Sequence, residues 1–394
     1  MKIMVIVKNL NGGGAERVAA NLASCLSEYE KTILVVINAD NAIYETTTEM
    51  INLKMPLNKG KIKFLWHLKL AAKVRNLKKK YKITHTISFM AEADLANILS
   101  KKSDKTVVSV RNKWSTYTPK GLRHYKNRWV FHKADKIVSL SQMVGYDLMK
   151  FYGVDRENIV TIYNPCYKEN IKQNILNGVI SEEERKVFEK YKGKIIITAG
   201  RLEPQKGQWH LIRAFSEVVK KYSDAKLIIL GRGNEKDYLK ELIKGFRLEH
   251  SVFLWGQKSN PYIYLANSDL FVFSSIYEGL GNILIECMAC GLPVISTDCA
   301  FGPKELLAPE EDLFSTVEKS TKGMYGVLVP PMDGKKYNSK ASLTNSEQIL
   351  ADTICELLEN DSLRLNYKNK IYLRGNDFSP ENITQQWLQL LANM

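Results

Sequence analysis

The stretch Ser274–Thr297, SSIYEGLGNILIECMACGLPVIST, reads in three parts. It continues an apolar run of strand length, Asp269–Ser274, into the acid Glu278 and the glycines Gly279 and Gly281. Asn282 to Cys290 then has helical character and carries a second acid, Glu286, eight residues after the first. A new apolar run follows at Val294–Thr297. Strand, glycine turn, helix and strand make a βαβ unit, whose crossover is right-handed almost without exception. The glycines leave backbone N–H groups uncovered where the helix starts, a setting that suits an anion. A carboxylate accepts from two sugar hydroxyls at once, which suits a ribose or a hexose.

The same pattern occurs earlier. AGRLEPQKG (Ala199–Gly207) follows a strand expected over Lys194–Ala199 and precedes a helix with Leu211, Ala214, Phe215, Val218 and Tyr222 on one face. Arg201 at the strand end and Lys206 five residues on could clamp a diphosphate and offset the charge that appears as it leaves. A further strand is expected over Lys226–Leu230.

The first half repeats the architecture. Strand Ile3–Val7 runs into the loop NLNGGGAER (Asn9–Arg17) and a helix with Val18, Leu22, Cys25 and Leu26 at helical spacing. Strands are expected at Thr32–Ile37, Thr84–Phe89, Thr106–Val110 and Lys136–Ser139, and IVTIYNPC (Ile159–Cys166) closes the half with a strand and an Asn-Pro turn. The final segment, FSPENITQQWLQLL, offers Ser379 as an N-cap and Ile383, Trp387, Leu390 and Leu391 as an apolar stripe needing a partner surface. The fold class is α/β: two Rossmann-like, doubly wound domains facing a cleft, with the last helix crossing back to the first domain. The expected divisions are 1–165 plus 380–394, and 166–379. Ligands of such sheets bind outside the carboxyl ends of the strands, so functional residues belong in the loops after strands.

Composition narrows the classes. With 45% hydrophobic and 25% charged residues in 394, disorder and low complexity are excluded. No apolar run reaches the ~18 residues of a spanning helix, and MKIMVIVK lacks a small-residue cleavage site and reads as a strand. The expected location is the cytoplasm, or the inner face of the cell membrane without crossing it. Six cysteines are too few for a disulfide scaffold; Cys287 and Cys290 have no second pair at zinc spacing. The histidines show no metal spacing and no Asp-x-Asp occurs, so no metal and no cofactor are expected. Gly231 and Gly233 lack the third glycine of a dinucleotide fingerprint.

The net charge of +15 is one-sided. Up to Pro165 there are 28 Lys and Arg against 13 Asp and Glu; beyond it, 29 against 29. Lys54 to Lys82 holds eleven cations and no acid, with Trp66, Leu70, Val74, Leu77 and Tyr81 on one helical face and Arg75, Lys78, Lys79 and Lys82 beside it. A basic helix over 61–82 could lie on anionic lipid, or it could face the core with a solvated basic back. No nucleic-acid module is present, so nucleic acid is not an expected partner.

On GGGAER, GRLEPQKG and the Glu-x₇-Glu stretch, the chain resembles the retaining nucleotide-sugar glycosyltransferases of family 4, which have the GT-B fold. The resemblance implies that Arg201, Lys206 and Glu278 are catalytic. It also implies that Gly279, Leu280, Gly281, Asn282 and Ile283 hold hexose and phosphate, and that Glu286 holds the ribose. Gly231 and Gly233, with Gln257 in WGQKSNPY, would flank the nucleobase, uridine being preferred. Gly12 to Gly14, with Glu16 and Arg17, would approach from the acceptor side. The implied acceptor is a saccharide, lipid-linked, in bacterial surface-glycan assembly. Many family members have a histidine where this chain has Arg111 and Asn112, and neither of these is a base at neutral pH. Gly281 stands where proline is common. An epimerase or phosphorylase on the same fold, or a non-catalytic sugar-nucleotide sensor, are the alternatives.

Overall fold

A computed structural model describes residues 1–56, 63–117 and 121–394. The chain forms two compact units, Met1–Asn164 with Pro380–Met394, and Pro165–Ser379. In the first, β1 (Lys2–Val7), β2 (Lys31–Val36), β3 (Glu49–Asn52), β4 (His85–Phe89), β5 (Lys105–Val110), β6 (Lys136–Ser139) and β7 (Ile159–Thr161) form one parallel sheet in the order β3-β2-β1-β4-β5-β6-β7. In the second, β8 (Ile195–Ala199), β9 (Lys226–Leu230), β10 (Val252–Gly256), β11 (Leu270–Phe273), β12 (Val294–Thr297), β13 (Thr321–Lys322) and β14 (Val327–Val329) are ordered β10-β9-β8-β11-β12-β14-β13. Only β13 runs antiparallel there. These are two Rossmann-like α/β units. In each, strand order reverses beside the first strand, at β1/β4 and at β8/β11, which is where doubly wound sheets open a crevice.

Strand residues alternate between two helical layers. On one side of the first sheet Val5, Val7, Leu34, Ile87 and Phe89 pack against helix Gly14–Ser27 and, through Ile383, Trp387 and Leu391, against helix Pro380–Ala392. On the other, Met4, Ile6, Ile33 and Val35 meet Trp66, Leu70 and Val74 of helix Lys63–Tyr81 and Ala93 and Ala96 of helix Ala91–Leu99. Each fully buried aliphatic side chain contributes about 1.5–3 kcal/mol.

The strand that opens Ile159–Cys166 runs to Thr161 and gives way to the expected Asn164-Pro165 turn segment. One sequence expectation changes. The apolar stripe of helix Lys63–Tyr81 faces the sheet, and Lys78 is no surface cation: its ammonium is buried 2.8 Å from Asp104 and donates to Asn97 Oδ1 at 3.0 Å. Burial pulls the Lys78 pKa down, against the pull of Asp104. Lys59 and Lys61 of the basic run, with the start of the expected 61–82 helix, lie outside the described residues. Among the described residues, no helix is long and apolar enough to cross a membrane.

Candidate active site

The second unit's crevice is built from the loops after β8 and β11. Beyond β8 the chain makes a short 3-10 turn, Pro204–Lys206, and reaches Gly207 at φ 57°, which only glycine adopts without strain. A Cβ there would stand 2.5 Å from the carbonyl oxygen of Ser274, so the absence of a side chain lets this loop close on the end of β11. Gln205 joins the two loops: its side-chain amide donates to the Tyr277 backbone carbonyl at 2.9 Å and its backbone carbonyl accepts from the Ile276 N–H at 2.9 Å. Ser274 Oγ donates to the Lys206 carbonyl at 3.0 Å.

Within this frame Lys206 Nζ lies 2.5 Å from Glu278 Oε1. Ser275 Oγ donates to the same oxygen at 2.8 Å. Both bonds fall on Oε1 of a carboxylate that is buried, so its position is fixed while its second oxygen carries neither. Arg201 is exposed and reaches Gln205 Oε1 at 3.5 Å, which ties it to the same loop pair. Lys206, Glu278 and, through Gln205, Arg201 therefore meet at one strand-end edge. The arrangement offers two cations and a rigid acceptor for hydroxyls, the chemistry of a phosphorylated sugar.

Glu286 sits about one turn into helix Asn282–Cys290, closer to its start than the eight-residue spacing suggests, because the helix begins only after Gly281. Gly281, at φ 87°, caps that helix without a side-chain bond. The loop Gly279–Gly281 backs onto Gly302, where a Cβ would lie 2.3 Å from the Leu280 carbonyl oxygen. Beside β8, the Gly231 N–H donates to the Gly256 carbonyl at 2.8 Å and the Leu202 N–H to the Arg232 carbonyl at 2.9 Å. The ends of β8, β9 and β10 are thus laid side by side, with Gly233 against Leu202 and Gln257 exposed just past β10.

The first unit has its own strand-end cluster. Glu16 is buried and its carboxylate accepts from the Gly13 N–H at 2.5 Å, so it closes the helix start that Gly14 opens. Arg111, just past β5, is buried over the Phe89 ring at 5.2 Å and donates from Nη1 to Asn164 Oδ1 at 3.0 Å. Its Nε and Nη2, with Asn9 Oδ1 beyond β1 and Ser109 Oγ on β5, are buried without hydrogen-bond partners among the described residues. Burial pulls the guanidinium pKa down to about 9, which leaves it a cation at neutral pH. Asn112 is exposed. Sequence reasoning did not find Gln205, Ser275, Ser109, Asn9 or Asn164; only the three-dimensional contacts around them mark them. Among the described residues no group of three or more His, Cys, Asp or Glu is placed to hold a metal ion.

Comparison with known proteins bears on the family and the fold. The family model Glycosyltransferase Family 4 matches residues 12–167, and Glycosyl transferases group 1 matches residues 180–325. The chain belongs to this glycosyltransferase family, and its two units have the GT-B fold. An uncharacterized glycosyltransferase of Methanocaldococcus jannaschii is 36% identical over 66% of this chain, an alignment spanning 64% of that protein's length. The N-acetylgalactosamine-N,N'-diacetylbacillosaminyl-diphospho-undecaprenol 4-alpha-N-acetylgalactosaminyltransferase of Campylobacter jejuni is 29% identical over 99% of both chains. Among solved structures, a glycosyltransferase from Rickettsia africae superposes with a TM-score of 0.77 at 20% identity, covering 100% of this chain and 98% of that one. Anabaena HepE in complex with UDP-glucose superposes with a TM-score of 0.72 at 20% identity over the whole of both chains.

Proposed function

We propose that this chain transfers a hexose or N-acetylhexosamine from a nucleoside diphosphate sugar to a saccharide acceptor, with retention at the anomeric carbon. The observation that carries the reading is the Lys206–Glu278 contact at the β8/β11 switch point, with Arg201 tied to the same loops through Gln205. Arg201, Lys206 and the amides from Gly279 to Ile283 would neutralise the leaving diphosphate, with side-chain cations in place of a metal ion. Glu278 would hold the donor sugar, and Glu286 the ribose. Gly233 and Gln257 would border the base. Uridine is the preferred nucleotide, as in the HepE complex.

The acceptor would meet the first unit at Gly13, Gly14, Arg111 and Asn112, with Glu16 shaping the loop. A lipid-linked saccharide in bacterial surface-glycan assembly fits the excess charge of that half, and the Campylobacter relative acts on a diphospho-undecaprenol saccharide. Work on such an acceptor would place the protein at the inner membrane face. Arg111 cannot act as a base, so the acceptor proton would pass to the departing phosphate oxygen in a front-face displacement.

The test is a thermal-shift screen of nucleotide sugars, because a bound donor raises stability by an amount set by its affinity. It is followed by NMR of the product formed with a lipid-linked acceptor. A shift with UDP-sugars and an α-linked product from an α-linked donor support the reading. An inverted product removes the retaining mechanism, and donor conversion without acceptor would favour an epimerase.

A further inference from the structure

The ladder between β11 and β12 ends at the pair Phe273–Ser296, one residue short of Thr297. Thr297 itself still pairs with Val329 of β14, so its backbone stays fixed where β11 leaves the sheet. Its side chain is 1% exposed and reaches across the gap that the departing strand opens. The hydroxyl donates to the Ser275 carbonyl at 2.6 Å and has the Phe273 carbonyl at 3.3 Å. A side-chain O–H thus satisfies a buried carbonyl that the ladder no longer reaches.

That carbonyl is one end of the Ser275–Ile276 peptide. The other end, the Ile276 N–H, donates to the Gln205 backbone carbonyl at 2.9 Å. A peptide unit is planar and stiff, so with both ends bonded it forms a strut from β12 to the loop after β8. Ser275 carries the acid: its hydroxyl donates to Glu278 Oε1 at 2.8 Å. Lys206 follows Gln205 in the chain, accepts from Ser274 Oγ at its carbonyl and pairs through its ammonium with the same Glu278 oxygen. The orientation of this one peptide therefore sets where the acid stands relative to the ammonium. Thr297 meets it from the strand behind, with its hydroxyl already committed to backbone.

We infer that Thr297 is a positioning residue for sugar transfer: by holding the Ser275–Ile276 peptide it fixes Glu278 relative to Lys206, and with it the donor sugar relative to the leaving diphosphate. The inference rests on the roles proposed above for Lys206 and Glu278 and adds the residue that keeps them in step. Its effect belongs to turnover more than to nucleotide affinity. Base and ribose are assigned to Gly233, Gln257 and Glu286, none of which the Thr297 hydroxyl touches, whereas a small displacement of the reacting groups slows the chemical step steeply.

The experiment compares Thr297→Val, which keeps the shape and loses the hydroxyl, with Thr297→Ser, which keeps the hydroxyl, each in the native and in the Ser275→Ala background. The assay uses the UDP-hexose or UDP-N-acetylhexosamine that the unaltered chain turns over fastest. Calorimetric titration with UDP counts folded sites, so that turnover is expressed per site. T297V should lower kcat about tenfold or more, with donor KM altered less than about threefold and UDP stoichiometry unchanged. T297S should recover most of that loss. In the S275A background T297V should cost less than about twofold further, because both changes release the same carboxylate. A threonine that only supports the fold would cost the same in both backgrounds. Native turnover by T297V, an equal cost in both backgrounds, or T297S no better than T297V overturns the inference. No turnover by the unaltered chain with any nucleotide sugar removes the donor-site reading and this inference together, an outcome distinct from those three.

Discussion

Lys206 and Glu278, 72 residues apart in the chain, stand 2.5 Å from each other at the carboxyl edge of the second sheet. A diphosphate drawing on the Lys206 ammonium would loosen its hold on Glu278, so phosphate and sugar binding are expected to be coupled. Lys206→Ala and Glu278→Gln should each lower kcat/KM by about 10²-fold or more, as loss of one transition-state donor does elsewhere. The double variant should fall well short of the product of the two losses, because the residues act as a unit. Additive losses would mean that the pair works independently.

Arg201 is exposed and its side chain bonds only weakly to Gln205, so replacing it tests chemistry rather than folding. Arg201→Ala should leave the thermal melt within about 1 °C while lowering turnover roughly 10²-fold. Gln205→Ala, which loses the stitch to Tyr277, should raise KM for the donor by displacing both loops. Steady-state kinetics with varied donor separates the two.

Gly207 is a conformational test. Its φ of 57° and the 2.5 Å approach to the Ser274 carbonyl forbid a Cβ. Gly207→Ala should cost about 1–3 kcal/mol of stability and pull the β8 loop off the end of β11, so turnover falls with the melting temperature. Gly193→Ala, also at positive φ but with nothing near the added carbon, should be the milder change.

Asp94 sets a pH dependence. Burial raises its carboxyl from the ordinary 3.8 to about 8, although Ser88 bonds to it. Below the unfolded value both states hold the proton and nothing is lost. Above it the unfolded chain releases a proton that the folded chain keeps, so stability falls by up to about 1.4 kcal/mol per pH unit until the folded value is passed. Asp94→Asn should gain on the native chain steadily from pH 5 to pH 8 in chemical denaturation. A difference independent of pH would show that Asp94 is already ionised.

For the acceptor side, Arg111→Met removes a buried cation with two unpartnered nitrogens while keeping the packing over Phe89. Acceptor KM is expected to rise at least tenfold with donor affinity unchanged. An equal rise for the donor would place Arg111 elsewhere in the reaction.

The sequence made the alternation of strands and helices legible because buried parallel strands are continuous apolar runs, as in Ile3–Val7 and Lys226–Leu230. It missed β3, whose EMIN carries an acid and an amide on an edge strand, the edge strand β10, and β13 and β14, whose two and three residues are too few for a period. Arg201, Lys206 and Glu278 were legible through local glycine and charge spacing. Gln205 was not, because what fixes it is contact between loops some 70 residues apart, which no local pattern records; Ser275, three residues before Glu278, was not, because a serine at that spacing is unremarkable until the acid is seen buried beside it. Lys78 shows the same limit from the other side: among ten neighbouring cations it reads as solvated, and only Asp104 reveals it as core.

Helix Pro380–Ala392 completes the first unit's interior with Ile383, Trp387 and Leu391, although 215 residues of the second unit, Pro165–Ser379, precede it in the chain. On the ribosome the continuous unit can therefore mature while the earlier one still exposes the seat for Trp387. A chain cut short before Trp387 would carry a sound second lobe attached to an unfinished first one, and the nascent first lobe must be shielded from aggregation until Pro380–Ala392 emerges.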